Sequence, residues 1–222
     1  MNRLKSLWTK YSAPLSTAEV LSRHQLDSVA RNAPLIEIKH RIGKSTQKFE
    51  LQNWYTRPGS CVGRYVSNGY GSPAGAYSWG IWVNGHKGGT GALQNIGAYR
   101  MHDSHGNLLA YRLDILKDVV IDCEGVAASD IENRIEFSDL VVDCWLWADE
   151  QGAVSPQGRD VTVEDQEELL RLQEAGVLGP ADVAVVHDTL SRLLAAPQMV
   201  SAAIDDMIAE AVAKVERRSP AS

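Results

Sequence analysis

Cysteine, phenylalanine and methionine are scarce in this 222-residue chain, at three, two and four residues. Cys61, Cys123 and Cys144 are too scattered for a disulfide framework, and an odd count fits reduced thiols in a cytoplasm. No apolar run approaches the roughly 20 residues that span a bilayer, which excludes a helical membrane protein. Met1 to Ala18 has a few basic residues but no apolar stretch of signal-peptide length, so the expected compartment is cytoplasmic, with no membrane partner. Positive charge is also in deficit. Twenty-two Lys and Arg face 28 Asp and Glu, a net charge of −6, which repels a nucleic-acid backbone and argues against a nucleic acid polymer as partner. The six histidines show no zinc-ligand spacing, and no Gly-x-Ser-x-Gly or Walker-type sequence occurs. What remains is an ordinary globular composition, 44% hydrophobic and 23% charged, in a chain long enough for a sizeable core.

The periodicity divides the chain in three. Ser16-Thr17-Ala18-Glu19 is a capping-box sequence, and Val20, Leu21 and Val29 continue at helical spacing, so 16–31 reads as a short helix broken by Asn32-Ala33-Pro34. From Leu35 to about Thr162 the period falls to two. Eleven of the 18 glycines lie between Gly59 and Gly97, among Tyr65, Tyr70, Tyr77, Trp79 and Trp82, which favours short strands and tight turns. Ala98 to Ile115 reads as a hairpin turning at Asp103-Ser104-His105-Gly106-Asn107; Val119-Val120-Ile121 and Ile135 to Trp147 supply two more strands. Short connections imply an antiparallel sheet or barrel. Helical spacing returns at Glu164 to Glu174, at Pro180 to Leu194, and in a stripe from Met199/Val200 to Val215. That stripe must pack on its own domain, on a twin subunit in a homodimer, or on a partner helix. The expected class is mainly β with α: an N-terminal helical segment (1–33), an antiparallel β-barrel carrying the site (34–163), and C-terminal helices packed on the barrel (164–222).

Strand alternation over Phe137 to Trp147 puts Leu140, Val142, Cys144 and Leu146 on one face. The other face receives Phe137, Asp139, Val141, Asp143, Trp145 and Trp147. Two acids among aromatics are unusual in a strand. Asp114 ends the neighbouring strand Tyr111-Arg112-Leu113-Asp114, and Asp165-Gln166-Glu167-Glu168 opens the following helix, where the helix dipole alone would favour acids. Carboxylates converging from several elements suit hard divalent ions such as magnesium or manganese. In an ideal strand Asp139 and Asp143 would stand about 13 Å apart. Either a bulge draws them together or the site holds two ions.

The run from Tyr111 to Leu194 resembles the FomD-type nucleoside tri- and diphosphate phosphatase family, whose members include a cytidylyl-hydroxypropylphosphonate hydrolase of fosfomycin biosynthesis. Tyr111-Arg112-Leu113-Asp114 resembles the family's Tyr-x-x-Asn. Asp139-Leu140-Val141-Val142-Asp143 resembles its Asp-Leu-x-x-Asp strand, and Glu164 to Leu169 its acidic helix opening. Ala175-Gly176-Val177-Leu178-Gly179-Pro180 falls where its loop should. Three departures stand out: Asp114 replaces Asn, Val141 replaces a middle Asp found in some members, and Asp165-Gln166-Glu167-Glu168 is looser than the usual acid run. The resemblance implies an antiparallel barrel and a divalent-metal site for hydrolysis of a nucleotide phosphoanhydride or cytidylyl-phosphonate conjugate. The implied metal ligands are Asp114, Asp139, Asp143, Asp165 and Glu167, with Asp143 catalytic. Two magnesium or manganese ions would neutralise a phosphorylated substrate that a −6 protein otherwise repels, and would activate water without a protein nucleophile.

Basic side chains should complete such a site. Lys39 and Arg41 share a strand face, Arg112 shares one with Asp114, and Lys87 sits in His86-Lys87-Gly88-Gly89-Thr90-Gly91, either a phosphate-approaching loop with Lys87 catalytic or a plain hairpin tip. Tyr77, Trp79 and Trp82 are candidates for stacking a base, although barrel-core aromatics follow the same pattern. Two alternatives stay open. Glu37-Ile38-Lys39 resembles half of the Glu-x-Glu-x-Lys signature of triphosphate-tunnel phosphohydrolases, with Leu35 in place of the first Glu. The other is a barrel that binds a nucleotide or a partner without turnover.

Overall fold

The computed structural model describes residues 35–51, 53–57, 59–66, 75–84, 91–123, 133–149, 151–154 and 160–216. The helix expected over 16–31 lies outside them. Among the described residues nine strands form one sheet: β1 (Leu35–Arg41), β2 (Thr46–Leu51), β3 (Asn53–Arg57), β4 (Ser60–Val66), β5 (Tyr77–Val83), β6 (Ile96–His102), β7 (Leu108–Asp122), β8 (Asn133–Trp147) and β9 (Val161–Glu164). Their order is β2-β1-β8-β7-β6-β5-β4-β3, with β9 added to β8. Three helices follow: α1 (Gln166–Glu174), α2 (Pro180–Ala195) and α3 (Pro197–Glu216). The chain is therefore mainly β with α, as the periodicity indicates. The sheet is a curled half-barrel of mixed direction, because β1 runs parallel to β8 while every other pairing is antiparallel.

The hairpin turn forms where Asp103 predicts it. Its carboxylate accepts hydrogen bonds from the His105 and Asn107 amides and from Asn107 Nδ2, each 2.8 Å long. The segments read separately as Leu108 to Ile115 and Val119 to Ile121 are one 15-residue strand, β7. Register shifts at Asp114/Leu116 and Lys117/Val120 interrupt its pairing with β8, and such bulges scramble the alternation that sequence reading depends on.

Each face of the sheet has its own core. The convex face carries Tyr77, Trp79, Ile81, Ala98, Tyr111, Leu113, Cys144 and Leu146 under Leu193 of α2 and Val200, Ile204, Ile208 and Ala211 of α3. Val200, Ile204, Ile208 and Ala211 of the last helix's apolar stripe are thus buried on the chain's own sheet, while Met199 is exposed. No described helix is long and apolar enough to cross a membrane. The concave face gathers Leu35, Leu51, Trp54, Cys61, Trp82, Leu116, Ile135 and Phe137 from seven strands and no helix. Curling brings β2 against β4: a Cβ on Gly63 would stand 2.9 Å from a Leu51 methyl, which would have to shift to make room.

Candidate functional site

Polar groups lie within that concave core, on the faces that alternation assigns them. From β1, Glu37 and Lys39 point inward and are 2% and 5% exposed. From β7 come Arg112 and Asp114, and from β8 Asp139 and Asp143. Asp114 and Asp139 are essentially inaccessible, at 0% and 1%. Buried charges persist only when paired, and here they are. Lys39 Nζ stands 2.5 Å from Asp114 Oδ2 and 3.0 Å from Asp139 Oδ2. Arg112 reaches Asp143 Oδ2 at 2.8 Å, and Arg41 Nε lies 3.6 Å from Asp139 Oδ2. Arg112 Nε is 3.0 Å from Asp114 Oδ1, but neither atom is aligned for a hydrogen bond. The guanidinium of Arg112 also lies over Tyr99 and Trp145, 5.9 and 5.8 Å from the ring centroids.

A bulge brings the acids together. Asp114 pairs with Asp143 and Leu116 with Asp139, so two steps on β7 face four on β8. The excess is taken up at Val141, whose φ of +80° is rare for a β-branched residue. Asp139 holds the bulge: its Oδ1 accepts the Val141 amide at 2.8 Å. Regular alternation places Val141 with the aspartates. Instead it joins Leu140 and Val142 in the convex cluster beneath α1 and α2.

Burial and neighbouring charge act in opposite directions on the two facing carboxyls. For Asp143, burial and the adjacent Asp114 outweigh Arg112 and Lys39, and its pKa is pushed up to about 8. Burial works the same way on Asp114, but Arg112 and Lys39 together hold it below the usual carboxylate range. The side chains of Asp114 and Asp143 are within hydrogen-bond reach of each other. The two carboxyls therefore titrate as one coupled pair, with the proton affinity of Asp143 raised and that of Asp114 lowered. Beneath it, Glu37 accepts hydrogen bonds from Tyr65 and Tyr99, the latter 2.9 Å long, and burial raises its pKa to about 7.

Five of the sequence-derived candidates converge: Lys39, Asp114, Asp139, Asp143 and Arg112, with Arg41 at the margin. Trp82 lies in the same concave core. Trp79 does not: it is 2% exposed in the convex cluster under α3, beneath the guanidinium of Arg64. Asp165 and Glu167 are exposed at the start of α1, where Asp165 adopts a left-handed φ of 63°. Among the described residues no group of three or more His, Cys, Asp and Glu side chains is arranged as a metal cage. Lys87 lies outside the described residues.

Tyr65 and Tyr99 give no sign of this site in the sequence, while Glu37 and Trp145 are legible there without their roles in it. Glu37 shares the Lys39 face by simple alternation, yet its burial requires knowing that the sheet curls over it. Tyr65 and Tyr99 complete its pocket. Trp145 stacks on Trp147 at 5.1 Å with an 8° interplanar angle and donates to Glu164 at 3.1 Å, and Glu164 lies opposite Asp143 in the β8–β9 register. The aromatic acid face of β8 was the signal for that ledge.

Fold and site together define a curled β-half-barrel, capped by C-terminal helices, with an acid–base cluster buried in its concave face. A solved structure shares this fold. FomD in complex with CDP aligns with a TM-score of 0.50 at 11% identity, over 79% of this chain and 88% of that one. The phosphatase SC4828 with the non-hydrolyzable nucleotide GPCP aligns with a TM-score of 0.45 at 11% identity, over 75% and 81%. The sequence matches no protein-family model and no curated protein. The resemblance carried by Tyr111 to Leu194 thus has its counterpart in the fold.

Proposed function

We propose that this chain hydrolyses a phosphoanhydride of a small nucleotide, or a cytidylyl-phosphonate conjugate, at the Asp114–Asp143 pair with the help of a divalent cation. The observation that carries this reading is the pair itself: two buried carboxyls paired across β7 and β8, with Arg112 3.0 Å from Asp114 Oδ1 and 2.8 Å from Asp143 Oδ2. Two carboxyls that face each other across neighbouring strands suit a cation, and an all-oxygen donor set selects a hard one. Magnesium or manganese held by Asp114 and Asp143 would supply a Lewis acid for phosphate oxygens and a water of lowered pKa.

The chain's own residues do the rest. Arg112 is fixed by Asp143 and by the Tyr99 and Trp145 rings, so its planar donors are oriented in advance toward phosphate oxygens. Arg41, only loosely engaged with Asp139, is the second phosphate contact. Asp139 touches no substrate in this reading; it fixes the bulge that places Asp143 opposite Asp114. FomD shares the fold and was solved with CDP, which supports a nucleoside diphosphate as the first substrate to try.

One specific observation favours a second reading, a barrel that binds a nucleotide or partner without turnover: all three aspartates are already neutralised within the chain by Lys39, Arg41 and Arg112. Phosphate release separates the two, measured with nucleoside diphosphates, triphosphates and a cytidylyl conjugate, with and without Mn2+ or Mg2+. Cation-dependent release that Asp143→Asn abolishes supports the hydrolase. Absence of release from every substrate sinks it, and release from inorganic triphosphate alone points to tunnel-type chemistry through Glu37 and Lys39.

A further inference from the structure

We infer that Tyr99 and Trp145 are positioning residues that hold Arg112 for phosphate, so that the concave cluster takes a phosphate group with no divalent ion present. This rests on the reading of Arg112 as a phosphate contact and not on the cation. The sheet register sets the arrangement. Tyr99 of β6 lies opposite Arg112 of β7, and Arg112 lies opposite Trp145 of β8, so the guanidinium has an aromatic neighbour on either strand. It lies over both rings, 5.9 and 5.8 Å from their centroids. Each ring is fastened at its polar end to a glutamate of another strand. The Tyr99 hydroxyl donates to Glu37 of β1 at 2.9 Å, and Trp145 Nε1 donates to Glu164 of β9 at 3.1 Å.

The carboxylates do not exhaust Arg112. Its Nη2 donates to Asp143 at 2.8 Å and its Nε faces Asp114 at 3.0 Å. Nη1 makes no hydrogen bond among the described residues and, unlike Nε, is not buried; the side chain as a whole is 31% exposed. Arg41 stands in the same condition. Its Nε lies 3.6 Å from Asp139, its side chain is 28% exposed, and its guanidinium makes no hydrogen bond among the described residues. Two guanidinium groups with donors to offer match the oxygens of a phosphate. A long side chain already held between two fixed rings has lost its rotamer freedom before a ligand arrives, so binding does not have to order it.

The test is a calorimetric titration of inorganic pyrophosphate into the full chain, in EDTA and then with Mn2+. The wild type should bind in EDTA. Tyr99→Leu and Trp145→Leu should each weaken that binding about tenfold, and Tyr99→Phe, which keeps the ring and loses only the hydroxyl, should weaken it only about threefold. Tyr65→Phe removes the other phenol from Glu37, away from the Arg112 row, and should bind as the wild type does. Binding that appears only with Mn2+ overturns the inference and leaves the proposed function standing. No binding under either condition overturns the inference and the part given to Arg112 in that function. Leucine variants that bind as tightly as the wild type overturn the inference alone. A loss in Tyr65→Phe as large as in Tyr99→Leu also overturns it, because the effect would then come from the Glu37 pocket and not from the ring under Arg112. Should the leucine variants not fold, Tyr99→Phe against Tyr65→Phe still decides: equal affinities overturn the inference.

Discussion

Replacing Glu37 by Gln should remove a pH-dependent loss of stability. Glu37 is 2% exposed in the concave core, and burial lifts its pKa from 4.5 to about 7 despite two tyrosine donors and the nearby Lys39 ammonium. In the unfolded chain the same carboxyl loses its proton near 4.5. Between those values the folded state binds more protons than the unfolded state, so stability falls as pH rises and levels off above about 7. At about 1.4 kcal/mol for each tenfold change in proton affinity, the loss reaches about 3 kcal/mol. Gln is neutral throughout and can still meet both tyrosine hydroxyls, accepting from one and donating to the other. Other groups in the cluster titrate too, so the quantity to follow is the difference between the variants. Urea unfolding of wild type and Glu37→Gln from pH 4.5 to 8 should show Gln gaining about 3 kcal/mol relative to Glu across that range. A difference that stays constant with pH would refute the reasoning, since it would mean that Glu37 is not ionised against its burial.

Three further outcomes follow from the same geometry. Asp143→Asn should lower turnover about 100-fold or more, whereas Glu168→Ala, which removes only a partner of Lys44 and Arg171 away from the cluster, should leave turnover as it is; steady-state kinetics on both variants checks this. Asp139→Ala strips the Val141 amide and Lys39 of a buried acceptor and should cost about 3 kcal/mol in urea unfolding, even with Asp114 still paired to Lys39. Gly80→Ala would set a Cβ 2.3 Å from the Trp82 ring, in a packed core with no slack, and should cost about 2 kcal/mol by the same measurement.

The legibility of this chain depends on periodicity. Helices α1 to α3 and the Asp103 turn could be read because amphipathic spacing and turn chemistry are local. The convex core could be read for the same reason, since Leu113, Cys144 and Leu146 obey strict alternation. The parallel pairing of β1 with β8 could not, because no local pattern records which distant strand lies alongside. The aspartates were identifiable by their rarity in a strand. Their convergence was not, because it depends on the bulge at Val141, a β-branched residue that gives no turn signal. Trp79 and Trp82 are three residues apart, so alternation already assigns them to opposite faces; which face is concave becomes apparent only when Leu51 meets Gly63. The pairing of Lys39 with two acids combines both difficulties: the residue is found by alternation, and its partners by topology alone.

The central claim is that the Asp114–Asp143 pair holds a divalent cation beside a phosphorylated substrate. Its most direct test is a crystal of the full chain grown with Mn2+ and a non-hydrolysable nucleoside diphosphate, with anomalous scattering used to locate manganese. The expected result is manganese between Asp114 and Asp143, with phosphate oxygens on Arg112. Nucleotide bound in the concave face with no manganese at that pair, and with Arg112 still closed on Asp143, would contradict it.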